Sequence, residues 1–214
     1  TSVEYVVRHR LPAGEFYALL FFATAGGMLM SVSGDLIMLY VALELLSLSS
    51  YALVGLLRQR ETSLEASLKY FLNGALASAL LLFGLSLLFG LTGTTSLREM
   101  AALLGEGALS WLGAAALVLV AAGLGFKLAV VPFHLWVPDT YQGAPTPVSA
   151  FLAVASEGAA VAAILRAFFV GLGPWRADWG DLLAVLAVLT MTVGNVAALH
   201  QRNAKRLLAY SSIS

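Results

Sequence analysis

The chain of 214 residues contains no cysteine. That excludes disulfides, thiolate metal sites and iron–sulfur ligation by its own residues. Its three histidines are scattered and offer no metal constellation. Charge is scarce: twelve basic and twelve acidic residues make up 11% of the chain and cancel to zero. A balanced, sparsely charged chain has no basic surface for nucleic acid. A soluble domain of this size would be about a quarter charged, whereas this chain is 60% hydrophobic with a mean hydropathy of +0.88. The composition is that of a polytopic membrane protein. Neither a soluble domain, a long linker nor a short-period repeat is visible. The opening stretch Thr1 to Pro12 is too polar for the apolar core of a cleavable signal. The chain lacks an initiator Met and stops at Ser214 inside what reads as another helix, so a segment of a longer protein is expected.

A bilayer-crossing helix needs about 20 apolar residues. Such runs fall at roughly 14–33, 36–57, 64–92, 109–137, 146–171 and 180–200, and a seventh helix starts at Asn203. The short stretch Ser96 to Leu104 is amphipathic and suits the interface. Pro132 lies inside the fourth run and predicts a break there, because proline lacks the backbone donor a helix requires. The expected fold class is therefore an all-α membrane bundle with one broken transmembrane helix. With the N-terminus in the cytoplasm, Arg8, Arg10, Arg58, Arg60, Arg202, Lys205 and Arg206 lie on that side. Only Arg98 and Arg176 lie opposite. The positive-inside rule selects this orientation.

Five charges stay inside the runs: Glu44, Lys69, Lys127, Glu157 and Arg166. Hydrocarbon cannot solvate them, so they pair, snorkel or work. Glu44 is near the middle of its span, with Ser47 and Tyr51 on the same face at i+3 and i+7. Lys69 follows Glu65 by four residues and can snorkel, while Asn73 extends its face inward. Arg166 lies about 14 Å along the helix from Glu157 at 1.5 Å per residue, near the outer interface. Lys127 stands five residues before Pro132, where a broken helix frees backbone groups and admits water. One reading of these charges is a set of structural ion pairs. The other is a proton relay, in which a carboxylate such as Glu44 loads and unloads a desolvated lysine such as Lys127. His134, just past the break, and His200, beside Gln201-Arg202, are candidate relay or gating groups because histidine titrates near neutrality, and Arg166 is a third candidate.

Other features carry less. Gly123-x-Gly125-Phe-Lys127 lacks the third glycine and the preceding strand of a dinucleotide loop. Gly26-Gly27 and the small residues around Ala75, Ser78 and Gly84 predict close helix packing. Trp111, Trp136, Trp175 and Trp179 lie near span ends, as in an aromatic belt.

The block Lys127-Leu-Ala-Val-Val-Pro-Phe-His-Leu-Trp-Val-Pro-Asp-Thr-Tyr-Gln-Gly-Ala-Pro-Thr-Pro-Val-Ser-Ala-Phe-Leu-Ala153 is long and specific. It resembles the signature of the antiporter-like subunits of respiratory complex I, and cation/proton antiporter complexes share a looser version. Glu44 to Tyr51, Glu65 to Phe71 and Asn203 to Ser214 agree with the same family, and Pro138-Asp-x-Tyr-Gln-Gly-Ala-Pro145 looks most like its N-type subunit. The resemblance implies two inverted five-helix repeats: a polar N-terminal segment 1–13, a first repeat 14–171 and the start of a second, 172–214. It places the mid-membrane glutamate at Glu44, the broken-helix lysine at Lys127 and a relay lysine at Lys69. In the family Ala-Ser is usually followed by lysine, but here Ala155-Ser156 is followed by Glu157. Glu157 is expected either to carry a proton or to form a standing salt bridge with Lys127.

By resemblance, the chain is expected to act as a proton-translocating membrane-arm subunit of an NADH:quinone oxidoreductase, a translocase. Protons would pass Lys69, Lys127 and Glu157, with Glu44 tuning Lys127. A sodium/proton antiporter subunit and a non-conducting scaffold are the alternatives. The resemblance implies no cofactor here, with NADH, FMN, Fe–S clusters and quinone held by other subunits. The implied partners are the lipid bilayer and neighbouring membrane-arm subunits, not nucleic acid. The implied location is the plasma (inner) membrane of a bacterium.

Overall fold

The computed structural model describes residues 2–105 and 109–214. Among these the chain is helical, with one isolated antiparallel bridge between Asp35 and Ser96. The helices are α1 (Ser2–Arg8), α2 (Ala13–Val32), α3 (Leu36–Val54), α4 (Glu61–Thr92), α5 (Leu97–Leu104), α6 (Trp111–Lys127), α7 (Trp136–Gly143), α8 (Thr146–Phe151), α9 (Glu157–Ile164), α10 (Arg176–Leu199) and α11 (Ala204–Ile213). Two π-helical stretches, Leu152–Ser156 and Leu165–Gly171, join α8 and α9 into one rod, Thr146–Gly171. That rod, α2, α3, α4 and Gly173–Leu199 are each long and apolar enough to cross a bilayer.

Local chemistry sets these boundaries. The Asp35 carboxylate caps α3 by accepting from Ile37 N at 2.8 Å and Met38 N at 3.1 Å. Ser110 caps α6 through Gly113 N at 3.1 Å, and Asn203 caps α11 through Lys205 N at 2.9 Å. Gly93 ends α4 in the left-handed conformation, φ +69°. At the end of the bundle where α2 meets α3, Leu36 N reaches Thr95 O and Leu97 N reaches Gly34 O. These bonds tie the amphipathic α5 to that rim.

The predicted close packing holds. A Cβ on Gly26 would lie 2.5 Å from the Leu46 amide and 2.9 Å from the Ala42 carbonyl, so α2 and α3 meet backbone to backbone. A Cβ on Gly123, whose motif is too weak for a dinucleotide loop, would lie 2.9 Å from the Leu81 Cα, so this glycine serves α4–α6 packing.

The fourth run is interrupted around Pro132, as expected: α6 ends at Lys127 and the chain turns irregularly until α7 resumes at Trp136. Two expectations change. Within the polar segment 1–13, residues Ser2–Arg8 form a helix that buries Val6. The tryptophan belt survives only at Trp111, which is 81% exposed. Trp136, Trp175 and Trp179 are buried, because their ring N–H groups or faces serve internal contacts. Trp179 Nε1 donates to Leu172 O at 2.8 Å, and Trp175 packs against Gly113.

Candidate functional site

The break after α6 is a built feature. Ala129 takes φ +57°, a region that side-chain-bearing residues rarely adopt. Around it, Val130 N donates to Gly125 O at 2.8 Å and Ala129 N to Phe126 O at 3.1 Å. This is the Schellman pattern of a helix end, with alanine where glycine is usual. Trp136 Nε1 adds a second bond to Phe126 O at 3.0 Å. The hydroxyl of Thr190, on α10, accepts from Val131 N at 3.1 Å. Pro132 contributes no donor to the gap. These backbone groups at the break are thus met by protein partners, as apolar surroundings demand.

Lys127 closes α6 and is 1% exposed. Its ammonium donates to Ser47 Oγ at 3.1 Å and to the Tyr70 hydroxyl at 3.2 Å, and lies 5.7 Å from the Tyr70 ring centre. Tyr70 is fully buried. It stacks on Trp136 with centroids 4.2 Å apart and 10° between planes, and Tyr51 meets it edge-on at 4.5 Å. Three helices and the resumed α7 therefore enclose one amine in a cage where the Tyr70 ring and two neutral hydroxyls, of Ser47 and Tyr70, face it.

The direct Glu44–Lys127 pair expected from sequence does not form. Among the described residues the ion pairs are Arg58–Glu15, Lys69–Glu65, Lys69–Asp139 and Arg206–Asp139. Glu44 accepts a short hydrogen bond from Ser78, whose hydroxyl also lies 3.0 Å from the Tyr40 hydroxyl. Ser47, one turn beyond Glu44, meets the amine instead. The standing Glu157–Lys127 salt bridge is likewise not formed. Glu157 is half-buried, and its Oε1 accepts from the Tyr141 hydroxyl at 2.8 Å and from Ser212. The π turn Leu152–Ser156 ends immediately before Glu157. One residue inserted into a helix rotates the residues after it by about 100°, so this turn decides which way the carboxyl points.

Lys69 stands at a mouth rather than in the cage. It is about half-exposed and pairs with Glu65 at 2.7 Å and Asp139 at 2.9 Å. Asn73 turns back to the Lys69 carbonyl at 2.8 Å, so the inward extension expected of it is not seen. Asp139 also binds Arg206 at 2.6 Å, and the Lys205 ammonium donates to Ala144 O at 2.8 Å. Partial burial pushes the Asp139 carboxyl up. The hydrogen bonds and charges of Lys69 and Arg206 outweigh that and hold it below the usual carboxylate range.

The remaining candidates are dispersed. Arg166 Nε donates to Ser33 O at the end of α2, a helix-capping contact at the outer rim. His134 lies within the break, and its buried Nδ1 has no hydrogen-bond partner among the described residues. His200 is exposed, its Nδ1 3.1 Å from Val196 O on its own helix. Sequence reasoning did not single out Tyr70, Trp136, Asp139, Tyr141, Arg206, Ser212 or Thr190 as site residues. All but Thr190 lie in or beside the motif blocks, but only long-range packing shows what each one touches.

Residues 33–214 match the family described as NADH:quinone oxidoreductase/Mrp antiporter, TM. The chain is 51% identical to NADH-quinone oxidoreductase subunit N 2 of Symbiobacterium thermophilum, covering 94% of this chain and 42% of that protein. It is 48% identical to F(420)H(2) dehydrogenase subunit N of Methanosarcina mazei, covering 94% and 41%. Among solved structures, a chain of respiratory complex I from Thermus thermophilus superposes with a TM-score of 0.79 at 48% identity, covering 93% of this chain and 42% of that one. A chain of the Mrp complex from Dietzia sp. superposes with a TM-score of 0.83 at 29% identity, covering 92% and 36%. The chain thus spans less than half the length of the curated relatives it matches.

Proposed function

The chain belongs to the NADH:quinone oxidoreductase/Mrp antiporter transmembrane family, and from that premise we propose that it is part of an N-type, proton-translocating subunit in the membrane arm of a respiratory complex. The observation that carries this reading is the Lys127 amine, sealed at the end of a broken helix between two neutral hydroxyls. An ammonium held there costs several kcal/mol of lost hydration unless it is compensated. Neutral hydroxyls compensate weakly and serve the charged and uncharged amine alike, since each can donate or accept. Such a site suits a group that gains and loses a proton better than a permanent ion pair would.

In this reading Glu44 tunes Lys127 from beyond Ser47, and Lys69, with Asp139 and Arg206, forms the cytoplasmic mouth. Glu157 receives the proton at the edge of the rod and passes it toward the second repeat. Residues 14–171 form the first five-helix repeat and 172–214 open the second. The partners are neighbouring membrane subunits in a bacterial plasma membrane, and the redox groups lie outside this chain. The electron donor is a property of those other subunits, since the N subunits of an NADH-quinone and an F(420)H(2) enzyme resemble this chain about equally. The sodium/proton antiporter reading is the weaker one, because the match to the Mrp complex is the more distant in sequence.

The test is Lys127→Met in the full-length subunit within its assembled complex, reconstituted in liposomes. Electron transfer should persist while proton uptake per electron falls. Pumping at the wild-type ratio would remove Lys127 from the relay.

A further inference from the structure

A cavity of about 460 Å³ opens at the end of the bundle where α1 leads into α2 and α3 gives way to α4. It is unrelated to the Lys127 cage. Its charged lining is Arg10, Arg58 and Arg60 against one acid, Glu15, with His9 and Gln59 beside them. Glu15 is engaged by Arg58 at 2.9 Å. Arg10 and Arg60 join no ion pair among the described residues. Two arginines outside those ion pairs therefore line one concave space. Arg10 is held at φ +50°, a conformation that is unusual for a residue with a side chain. The bonds Arg10 N to Val7 O at 3.2 Å and Leu11 N to Val6 O at 3.0 Å fix it there. This turn closes α1 and leaves Arg10 lining the same cavity as Arg58, Gln59 and Arg60.

The surroundings are those of a membrane interface. On α1, Val3 and Val7 are 63% and 72% exposed, so that short helix offers an apolar face next to the basic rim. The Phe21 ring on α2, 70% exposed, continues the apolar surface deeper along the same helix that carries Glu15. By the distribution of Lys and Arg this is the cytoplasmic end, where the leaflet carries the anionic lipids.

We propose that this cavity binds the phosphate headgroup of an anionic phospholipid of the cytoplasmic leaflet, with Arg10 and Arg60 taking the phosphodiester and the acyl chains lying along α2. Guanidinium forks suit the paired oxygens of a phosphodiester. The volume fits a headgroup-sized ligand. The inference needs only the membrane setting and is independent of the proton reading.

The experiment uses the full-length protein in its assembled complex, placed in phosphatidylcholine nanodiscs with and without a photoactivatable phosphatidylglycerol. Crosslinked peptides are mapped by mass spectrometry. Labelling at residues 9–12 and 56–60 is expected, falling about fivefold for Arg10→Gln or Arg60→Gln and roughly thirtyfold for the pair. Arg176→Gln, at the opposite end, should leave it unchanged. Labels in the wild type that map elsewhere overturn the proposal, whether or not the variants assemble. Labelling that survives the double substitution also overturns it. Loss of labelling in millimolar inorganic phosphate, with no loss in equivalent chloride, would mark a site for soluble phosphate and overturn the lipid assignment.

Discussion

Tyr70 stacks on Trp136 at 4.2 Å, and in that position its hydroxyl accepts a hydrogen bond from the buried Lys127 ammonium. The two rings come from different helices: Tyr70 from α4, Trp136 from the first turn of α7, just past the break. Trp136 also fastens the end of α6 through the Phe126 carbonyl at 3.0 Å. One indole thus sets both the gap in the helix and the hydroxyl that meets its terminal amine.

Trp136→Phe should therefore lower stability by about 1–2 kcal/mol, from the lost hydrogen bond and part of the stacking. Thermal unfolding of the purified full-length protein measures this. Trp111→Phe, at an exposed position, should stay within about 0.5 kcal/mol of wild type. Equal effects at the two sites would remove Trp136 from its clamping role.

Ala129→Gly should stabilise. A left-handed alanine costs about 1–2 kcal/mol, and glycine returns roughly 0.5–1 kcal/mol of that gain through its looser unfolded chain. A net rise of up to about 1 kcal/mol is expected, read as a higher melting temperature. Ala129→Val should move it the other way, because a branched Cβ tolerates this conformation least and the site is buried.

The Asp139 carboxyl titrates below its usual range because Lys69 and Arg206 outweigh its partial burial. A depressed folded-state pKa contributes stability above the unfolded value, about 3.9, and that contribution is lost as pH falls through the folded value. Wild type should hold this contribution at neutral pH and shed it below about pH 4. In Asp139→Asn the acid limb attributable to this group should vanish. Arg206→Gln should shift the limb upward in pH. Stability profiles of all three that coincide down to acid would refute this contribution of Asp139.

Glu157→Gln keeps an oxygen for Tyr141 and Ser212, so the complex should assemble. If the carboxyl carries a proton, pumping falls while electron transfer continues. Undiminished pumping would leave Glu157 as an anchor between α7, α9 and α11. Glu157→Lys, which restores the residue usual in the family motif, should keep pumping above the level of the glutamine variant.

The sequence alone determined that the chain crosses a membrane, roughly where each helix lies, and that one of them breaks at Pro132. Hydropathy, charge asymmetry and proline act locally, so they survive reading along one dimension. The motif block, by resemblance, also pointed to the family. Tertiary structure decided which groups meet: Ser47 rather than Glu44 at the Lys127 amine, Tyr141 and Ser212 at Glu157, Asp139 between Lys69 and Arg206. Two local departures from ideal helix geometry made these outcomes unreadable beforehand. The π turn before Glu157 rotates the rest of the rod, and the left-handed Ala129 redirects the chain into the gap. Regular periodicity assigns a face only while the helix stays regular, so a single inserted residue or a reversed φ passes control from the sequence pattern to the packing around it.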